Sequence, residues 1–184
     1  MKKILAALII LAMAVSLSAC SGGGSSDYKI GLGVVTGIHS SSSKTDEAGP
    51  VGQVDSLIAA VTVDANGKIQ KCWIDAAQTT VEFDAEGIIS SDVNAEIRSK
   101  YEKKEDYGMV RYNASAIQKE WYQQADAFAA WCVGKTAADV TGLKTKARDE
   151  EHTSVPDIPE LTSTVTISVA DFQKAVAKAV ANAR

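Results

Sequence analysis

The chain closes with Glu160-Leu-Thr-Ser-Thr-Val-Thr-Ile-Ser168, which leads directly into Val169-Ala-Asp-Phe-Gln-Lys-Ala-Val-Ala-Lys-Ala-Val-Ala-Asn-Ala183. Hydroxyl-bearing and β-branched residues fill the first stretch, and this composition predicts an extended segment. The second stretch places four apolar residues on one helical stripe, at positions Phe172, Val176, Ala179 and Val180. We therefore expect a strand-to-helix unit at the C-terminus, against which the rest of the domain packs.

The start of this predicted helix is a candidate anion-binding site. Ser168 suits the N-cap position, and Asp171 three residues later suits a capping box. Free backbone N–H groups at a helix start favour a phosphate. The hydroxyls of Ser163, Thr164 and Thr166 lie just before it. The alternative is an ordinary cap after ordinary strand residues, since such caps begin most helices.

The sequence pattern in the first half of the domain predicts β-strands. Three runs rich in Val, Ile and Thr span 28–38, 54–63 and 68–75, and Asn66-Gly67 predicts a tight turn between the last two. A further hairpin is expected to turn at 84–87. Consecutive strands with short connections predict an antiparallel meander. With the helices that follow, the fold class is α+β: a meander, then helices, then the C-terminal strand-to-helix unit.

The glycines of the first strand argue against a nucleotide-binding loop. Gly31-Leu-Gly33 lies inside the strand-like run, whereas a dinucleotide fingerprint needs a strand before its glycines and a helix after them. Glycines within a strand indicate a bulge or a close approach of another backbone.

The middle of the chain predicts helices. Ser91 is expected to begin one helix, and Ser115 with Gln118 forms a capping-box pattern for another. The second helix would carry the aromatic residues Trp121, Phe128 and Trp131, with Tyr122 beside them. These rings suit either a hydrophobic core or a box for a ring-shaped ligand.

The pattern of the N-terminal residues predicts an export signal. Lys2 and Lys3 precede the apolar run 4–15, which is shorter than the ~20 residues that span a bilayer. Leu17-Ser-Ala-Cys20 follows, and this stretch resembles the lipobox of bacterial lipoproteins. The resemblance implies that residues 1–19 are removed and that Cys20 receives lipid. It places the protein at the cell membrane, lipid-anchored on the extracytoplasmic face.

The remaining sequence divides into a linker and one domain. Residues 20–27 comprise the lipidated Cys and a flexible Gly/Ser stretch, and 28–184 is long enough for a single α+β domain with its own core. The formal net charge is −4, and removal of the signal lysines makes it more negative. No basic patch is visible, so we expect no nucleic-acid partner.

Cysteine, histidine and serine patterns leave few catalytic options. Cys72 and Cys132 either pair as a disulfide or serve as small core residues. His39 and His152 have no convincing second ligand nearby, so we expect no metal site. No nucleophile-elbow pattern and no triad is evident, which argues against a hydrolase.

Two stretches resemble the small FMN-binding domains of exported bacterial flavoproteins. Residues 58–74 look like the opening hairpin of that family, and 160–166 aligns with its C-terminal signature. Ser163 and Thr166 match, Glu160 replaces an Asp, and Thr164 with Val165 replaces two small residues. The resemblance implies FMN as cofactor, attached through Thr166, with Ser163, Thr164 and Ser168 near its phosphate.

Most of residues 28–184 also resembles uncharacterised lipoproteins of anaerobic Gram-positive bacteria, a group without an established activity. From these resemblances we expect one of two functions. One is an FMN-binding electron-transfer component with redox partner proteins outside the cytoplasm. The other is a binding or structural surface lipoprotein that keeps the same fold without a cofactor. Flavin absorbance by the purified protein distinguishes the first function from the second.

Overall fold

In the computed structural model, which describes residues 28–184, one three-stranded antiparallel sheet forms the framework. Its strands are β1 (Lys29–Gly37), β2 (Val51–Val63) and β3 (Ile69–Glu82), joined in the order β1-β2-β3. Each strand pairs with the next along the chain, so the predicted meander and the α+β class are confirmed.

The turn between β2 and β3 follows from its sequence. Asp64 Oδ1 accepts hydrogen bonds from the N–H groups of Asn66 and Lys68, both at 2.9 Å. Gly67 adopts φ +74°, which glycine tolerates without a steric cost. The second predicted hairpin is reduced to a single bridge between Phe83 and Ile89, because the residues before it extend β3.

Helices and a small second sheet follow the meander. The helices are α1 (Lys100–Lys103), α2 (Trp121–Cys132), α3 (Ala137–Thr141), α4 (Pro159–Thr162) and α5 (Ala170–Ala181). A 3₁₀ turn, Lys104–Tyr107, extends α1. The second sheet pairs β4 (Thr145–Lys146) with β5 (Val155–Pro156).

The core lies between one face of the large sheet and two of these helices. Helix α5 packs against β1 and β2, and α2 packs against β3. Their apolar stripes meet in a cluster that includes Phe128 and Phe172, whose rings stack edge to face at 5.4 Å. The predicted stripe of α5 is confirmed, since Phe172, Val176 and Ala179 are buried.

Two glycines bring α5 unusually close to β1. A Cβ on Gly31 would lie 1.8 Å from the carbonyl oxygen of Ala179, and one on Gly33 would lie 2.0 Å from that of Ala175. No side chain fits at either position while the helix stays where it is. The strand glycines therefore permit a close backbone approach, as the sequence indicated.

The predicted helix starts in the middle of the chain are wrong. Residues 91–99 form turns, and Ser99 rather than Ser91 caps the next helix. Helix α2 begins only at Trp121, with a capping box between Glu120 and Gln123. Ser115 is instead buried, and its hydroxyl accepts a hydrogen bond from the Lys119 N–H at 3.0 Å.

The extended half of the predicted C-terminal unit is also wrong. Pro159 begins α4, because a proline suits the first helical position. Leu161 and Val165 then turn into the core together. Ser168 is not the N-cap of α5: Val169 holds that position without a side-chain hydrogen bond.

Within residues 28–184, no helix combines the length and the apolar character needed to cross a bilayer. The predicted lipidation site at Cys20 and the signal segment before it lie outside the described residues.

Candidate functional site

A cleft of about 960 Å³ opens at one end of the large sheet. Its walls are the last residues of β1, the middle of β2 and β3, the first turn of α5, and the loop 151–154. Trp121 and Phe172 supply aromatic surface, and the remaining lining is largely polar. The volume of the cleft lies within the range of small-molecule sites, and its lining is more polar than is usual for them.

A second cleft of about 590 Å³ adjoins the first. Both clefts are lined by five residues, which therefore form their common wall: Lys100, Trp121, Glu151, His152 and Ser168. Four separate parts of the chain contribute to this wall, so only the folded domain assembles it.

Lys100 is the cation at the centre of this wall. Its ammonium lies over two aromatic rings, 4.8 Å from the centroid of Tyr107 and 5.8 Å from that of Trp121. No carboxylate within residues 28–184 lies within 4.0 Å of it. Ring faces hold a cation in place without neutralising its charge. Lys100 therefore keeps its charge available to an anion that enters the cleft.

Ser168 contributes an unused hydroxyl to the same wall. Its Oγ is buried and has no hydrogen-bond partner in the described part of the chain. Buried polar atoms are normally paired, and an exception calls for a reason. Ser168 stands two residues before the first residue of α5, where free N–H groups carry partial positive charge.

An ion pair and hydrogen bonds connect the residues of the loop that carries His152. Asp149 Oδ2 lies 2.8 Å from Arg148 Nε, and Asp149 Oδ1 lies 2.6 Å from His152 Nδ1. The Arg148 side chain holds the pKa of the Asp149 carboxyl well below its usual range, and His152 adds to this effect. Arg148 Nη1 also donates to the Thr166 carbonyl at 2.8 Å, which ties the loop to the segment before α5.

This arrangement does not make a nucleophile. His152 has an acidic partner and shares a wall with Ser168, but Ser168 Oγ has no hydrogen-bond partner among residues 28–184. Without a contact between hydroxyl and base, the serine is not activated for attack.

The structure places one of the four predicted cofactor-binding residues at the cleft. Ser168 lines it, whereas Ser163, Thr164 and Thr166 do not. Ser163 is exposed at the end of α4, and the Thr164 hydroxyl donates to the Leu161 carbonyl at 3.2 Å.

Thr166 forms hydrogen bonds with a residue of α2 and does not line the cleft. Its N–H donates to Gln124 Oε1 at 2.8 Å, and its hydroxyl lies 3.4 Å from the same oxygen. Gln124 is fully buried, and its amide donates to the Lys119 carbonyl at 3.1 Å. Thr166 thus has a structural partner, and it lines neither cleft.

The aromatic residues of α2 serve mainly as core. Trp121 and Phe128 are buried, and both pack edge to face on Phe172 of α5. Trp121 also lines both clefts, so its ring is part of the core and also part of the candidate site. Tyr122 is partly buried against the core, and its hydroxyl donates to Glu105 at 2.9 Å.

Sequence reasoning missed the central cation and its neighbours. Lys100 lies in a charge-rich run that resembles any solvated surface, and nothing local distinguishes it. His152 had a detectable signal, because Asp149 stands three residues before it. In the described part of the chain, no group of three His, Cys, Asp or Glu residues is arranged to hold a metal ion.

No protein-family model, curated protein or solved structure matches this chain.

Proposed function

We propose that the protein is a lipid-anchored, extracytoplasmic binding protein whose cleft takes up a small anionic molecule. The anchor is supported by the lipobox-like stretch that ends at Cys20. The binding activity is supported by one observation above others. The Lys100 ammonium rests on two aromatic rings, without a carboxylate partner in residues 28–184, at the wall shared by both clefts.

The surroundings of Lys100 favour an anion physically. Ser168 adds a hydroxyl that has no partner among the described residues, and the first turn of α5 adds backbone N–H groups. Hydrogen bonds from charged or aligned donors to an anion are stronger than neutral ones. Asp171 in that turn is already paired with Lys174 at 2.9 Å, so its charge is partly balanced. Glu151 in the common wall and Asp55 in the first cleft also bring negative charge, so the anion must be held by Lys100 against them. A carboxylate or a phosphate is the ligand chemistry that these groups share.

The binding proposal is tested with a phosphate probe. Inorganic pyrophosphate is titrated into ¹⁵N-labelled protein, and we expect saturable shifts of the amides around Lys100 and Ser168. Lys100→Met keeps the apolar stem but removes the charge, and it should weaken binding about tenfold or more.

Lys135→Met is the matched control for that variant. Lys135 also lies over a ring, 4.6 Å from the centroid of Trp131, but it does not line either cleft. Its loss should leave pyrophosphate binding unchanged. Equal effects of the two variants, or no saturable shift in the unsubstituted protein, would count against an anion site.

The anchor is tested separately by intact mass spectrometry on protein taken from its own membranes. We expect the mass of residues 20–184 plus lipid. Cys20→Ala should release the protein from the membrane fraction, while Cys72→Ala should not. A mass without added lipid would remove the anchor from the proposal.

A second candidate is an FMN-dependent electron carrier, and Ser168 favours it. The family resemblance puts the FMN phosphate near the start of the last helix, where Ser168 Oγ lacks a partner within residues 28–184. Ser168 and Lys100 would hold that phosphate, and a bound flavin would supply electron transfer toward redox partner proteins. The position of Thr166 away from the cleft gives no support for a covalent link there.

Flavin binding has a direct test. FMN and riboflavin, which lacks the phosphate, are titrated separately while flavin fluorescence is followed. We expect FMN to bind at least about tenfold more tightly, and Lys100→Met to abolish that difference. Protein that purifies colourless and binds neither flavin would leave only the cofactor-free binding lipoprotein.

A further inference from the structure

The outer face of the large sheet carries an exposed apolar surface. The helices cover the opposite face, where Ala59, Val61 and Ile74 are buried. On the outer face, cross-strand pairing puts Leu32, Ala60 and Trp73 in one row. Ile30 and Val34 lie in the neighbouring rows of β1, since alternate residues of a strand share a face.

The exposure of these side chains is high for their type. The exposed fractions are 68% for Ile30, 55% for Leu32, 41% for Val34 and 43% for Trp73. We call this set, with Ala60 between them, the outer patch. Contiguous apolar surface of this kind marks an interaction site more often than scattered single residues do.

We propose that the outer patch rests on the lipid surface to which the protein is anchored, an inference that depends on the proposed anchor at Cys20. The chain's own connectivity supports this occupant. Seven residues separate Cys20 from Tyr28, and β1 begins at Lys29. An extended chain of that length reaches at most about 28 Å. The anchor therefore holds the patch within one domain's width of the bilayer.

The composition of the patch edge fits a membrane interface. Tyr28 is exposed, and Trp73 stays partly exposed although its ring packs against Tyr101, with the centroids 5.7 Å apart. Aromatic rings with a polar edge favour the headgroup region. Lys71 is exposed and pairs in register with Thr62, beside Ile30, so its ammonium lies within reach of lipid phosphates. Apolar surface, interfacial aromatics and a lysine thus occur on one side of the domain.

The size of the patch argues against a second copy of the chain. Three strands about 4.8 Å apart and a few residues long give an apolar area of roughly 300 Å². A stable protein interface buries about 800 Å² on each partner. The patch is too small for a stable dimer, whereas a tethered domain needs only a weak additional contact to settle on lipid.

The test uses the lipidated full-length product in vesicles of phosphatidylcholine and phosphatidylglycerol. Some vesicles carry lipids brominated near the headgroup end of the acyl chains, which quench nearby tryptophan. We expect brominated lipid to reduce the emission by roughly a quarter, because one of three tryptophans lies at the interface. Trp73→Phe should abolish that loss.

Two further variants separate the possible outcomes. Trp73→Phe combined with Tyr112→Trp places an exposed tryptophan beside the second cleft, away from the outer patch, and should stay unquenched. Leu32→Lys should keep the protein on the vesicles through its lipid but reduce quenching of Trp73; its urea midpoint checks that it is folded.

Each outcome has a distinct meaning. Lipidated protein that floats with vesicles but shows no quenching of Trp73 overturns the inference and leaves the anchor intact. Protein without lipid mass that fails to float overturns the anchor and the inference together. A dimer of Cys20→Ala protein in sedimentation, lost in Leu32→Lys, would assign the patch to a second copy instead.

Discussion

Gly33 of β1 lies directly against Ala175 of α5: a Cβ at Gly33 would stand 2.0 Å from the Ala175 carbonyl oxygen. The helix is held there by its own side chains as well. Lys178 Nζ donates to the Val34 carbonyl and Asn182 Nδ2 to the Leu32 carbonyl, each at 3.0 Å. These bonds pair two carbonyls of β1 that would otherwise be open to another strand. Strand and helix therefore form one unit with little room for change.

Gly33→Ala should lower the free energy of unfolding by about 3 kcal/mol, because the added methyl must push α5 off the sheet. Urea denaturation followed by circular dichroism measures the change. Gly52→Ala is the control, since a Cβ there would meet only the Val81 carbonyl oxygen at 4.0 Å. Its effect should stay within about 0.5 kcal/mol. Equal losses in the two variants would contradict the close-approach argument.

Gln124→Leu should destabilise the domain by about 2 kcal/mol, because the part-buried Thr166 N–H then loses its acceptor and the fully buried Gln124 amide its role. Thermal unfolding and hydrogen exchange at the Thr166 amide both report this loss.

Thr166→Val tests the hydroxyl of that pair alone. It keeps the N–H bond to Gln124 and removes only the longer 3.4 Å contact, so we expect a change below about 0.5 kcal/mol. A large loss of stability in this variant would show that the hydroxyl has a role that its contact with Gln124 does not explain.

Asp149 should titrate well below the usual carboxyl range. Its pKa is lowered in the folded protein, chiefly by Arg148, so its ion pairs stabilise the loop at pH above the unfolded value of about 3.9. That stabilisation is lost as the pH falls through the lowered folded value. A ¹³C-carboxyl NMR titration measures the pKa directly.

Arg148→Met provides the comparison for the titration. Removal of the guanidinium should move the pKa of Asp149 back toward its ordinary value, with the remaining effect due to His152. An unchanged titration in this variant would rule out Arg148 as the main cause.

Cys132 should resist alkylation in the folded protein. Hydrogen bonding with the neighbouring Cys72 thiol, together with burial, raises the pKa of Cys132 well above its usual range. Because the thiolate is the reactive form, iodoacetamide at pH 8 should modify Cys132 at least about 100-fold more slowly than in urea.

Half-buried Cys72 serves as the internal comparison in the same mass spectra. Both cysteines are free thiols in the structure. Native protein whose mass is lower by two hydrogens, and which takes up iodoacetamide only after reduction, would show instead that the two residues pair.

Sequence patterns predicted the structure correctly where it depends on interactions between neighbouring residues. The Asn66-Gly67 turn and the apolar stripe of α5 each depend on neighbouring residues. Ser115 failed as a cap because tertiary packing buries it and gives its hydroxyl another partner, the Lys119 N–H. A capping pattern names a residue able to cap, but packing decides whether it does.

The candidate site was predictable only in part, for the same reason. Ser168 was identified from its position before an apolar stripe, and it does line the cleft. Lys100 was not identifiable, because its two ring partners come from different segments and only the fold brings them together.

By itself the sequence determined the α+β class, the antiparallel meander and the final helix, and its strand glycines indicated either a bulge or a close approach of another backbone. These depend on periodicity, turn chemistry and backbone freedom, which act over a few residues. Tertiary structure alone decided that Thr166 turns to Gln124, that Lys100 lies over Tyr107 and Trp121, and that Trp73 stays exposed on the outer face. Contacts between distant segments are set by how whole elements pack, and no local pattern encodes them.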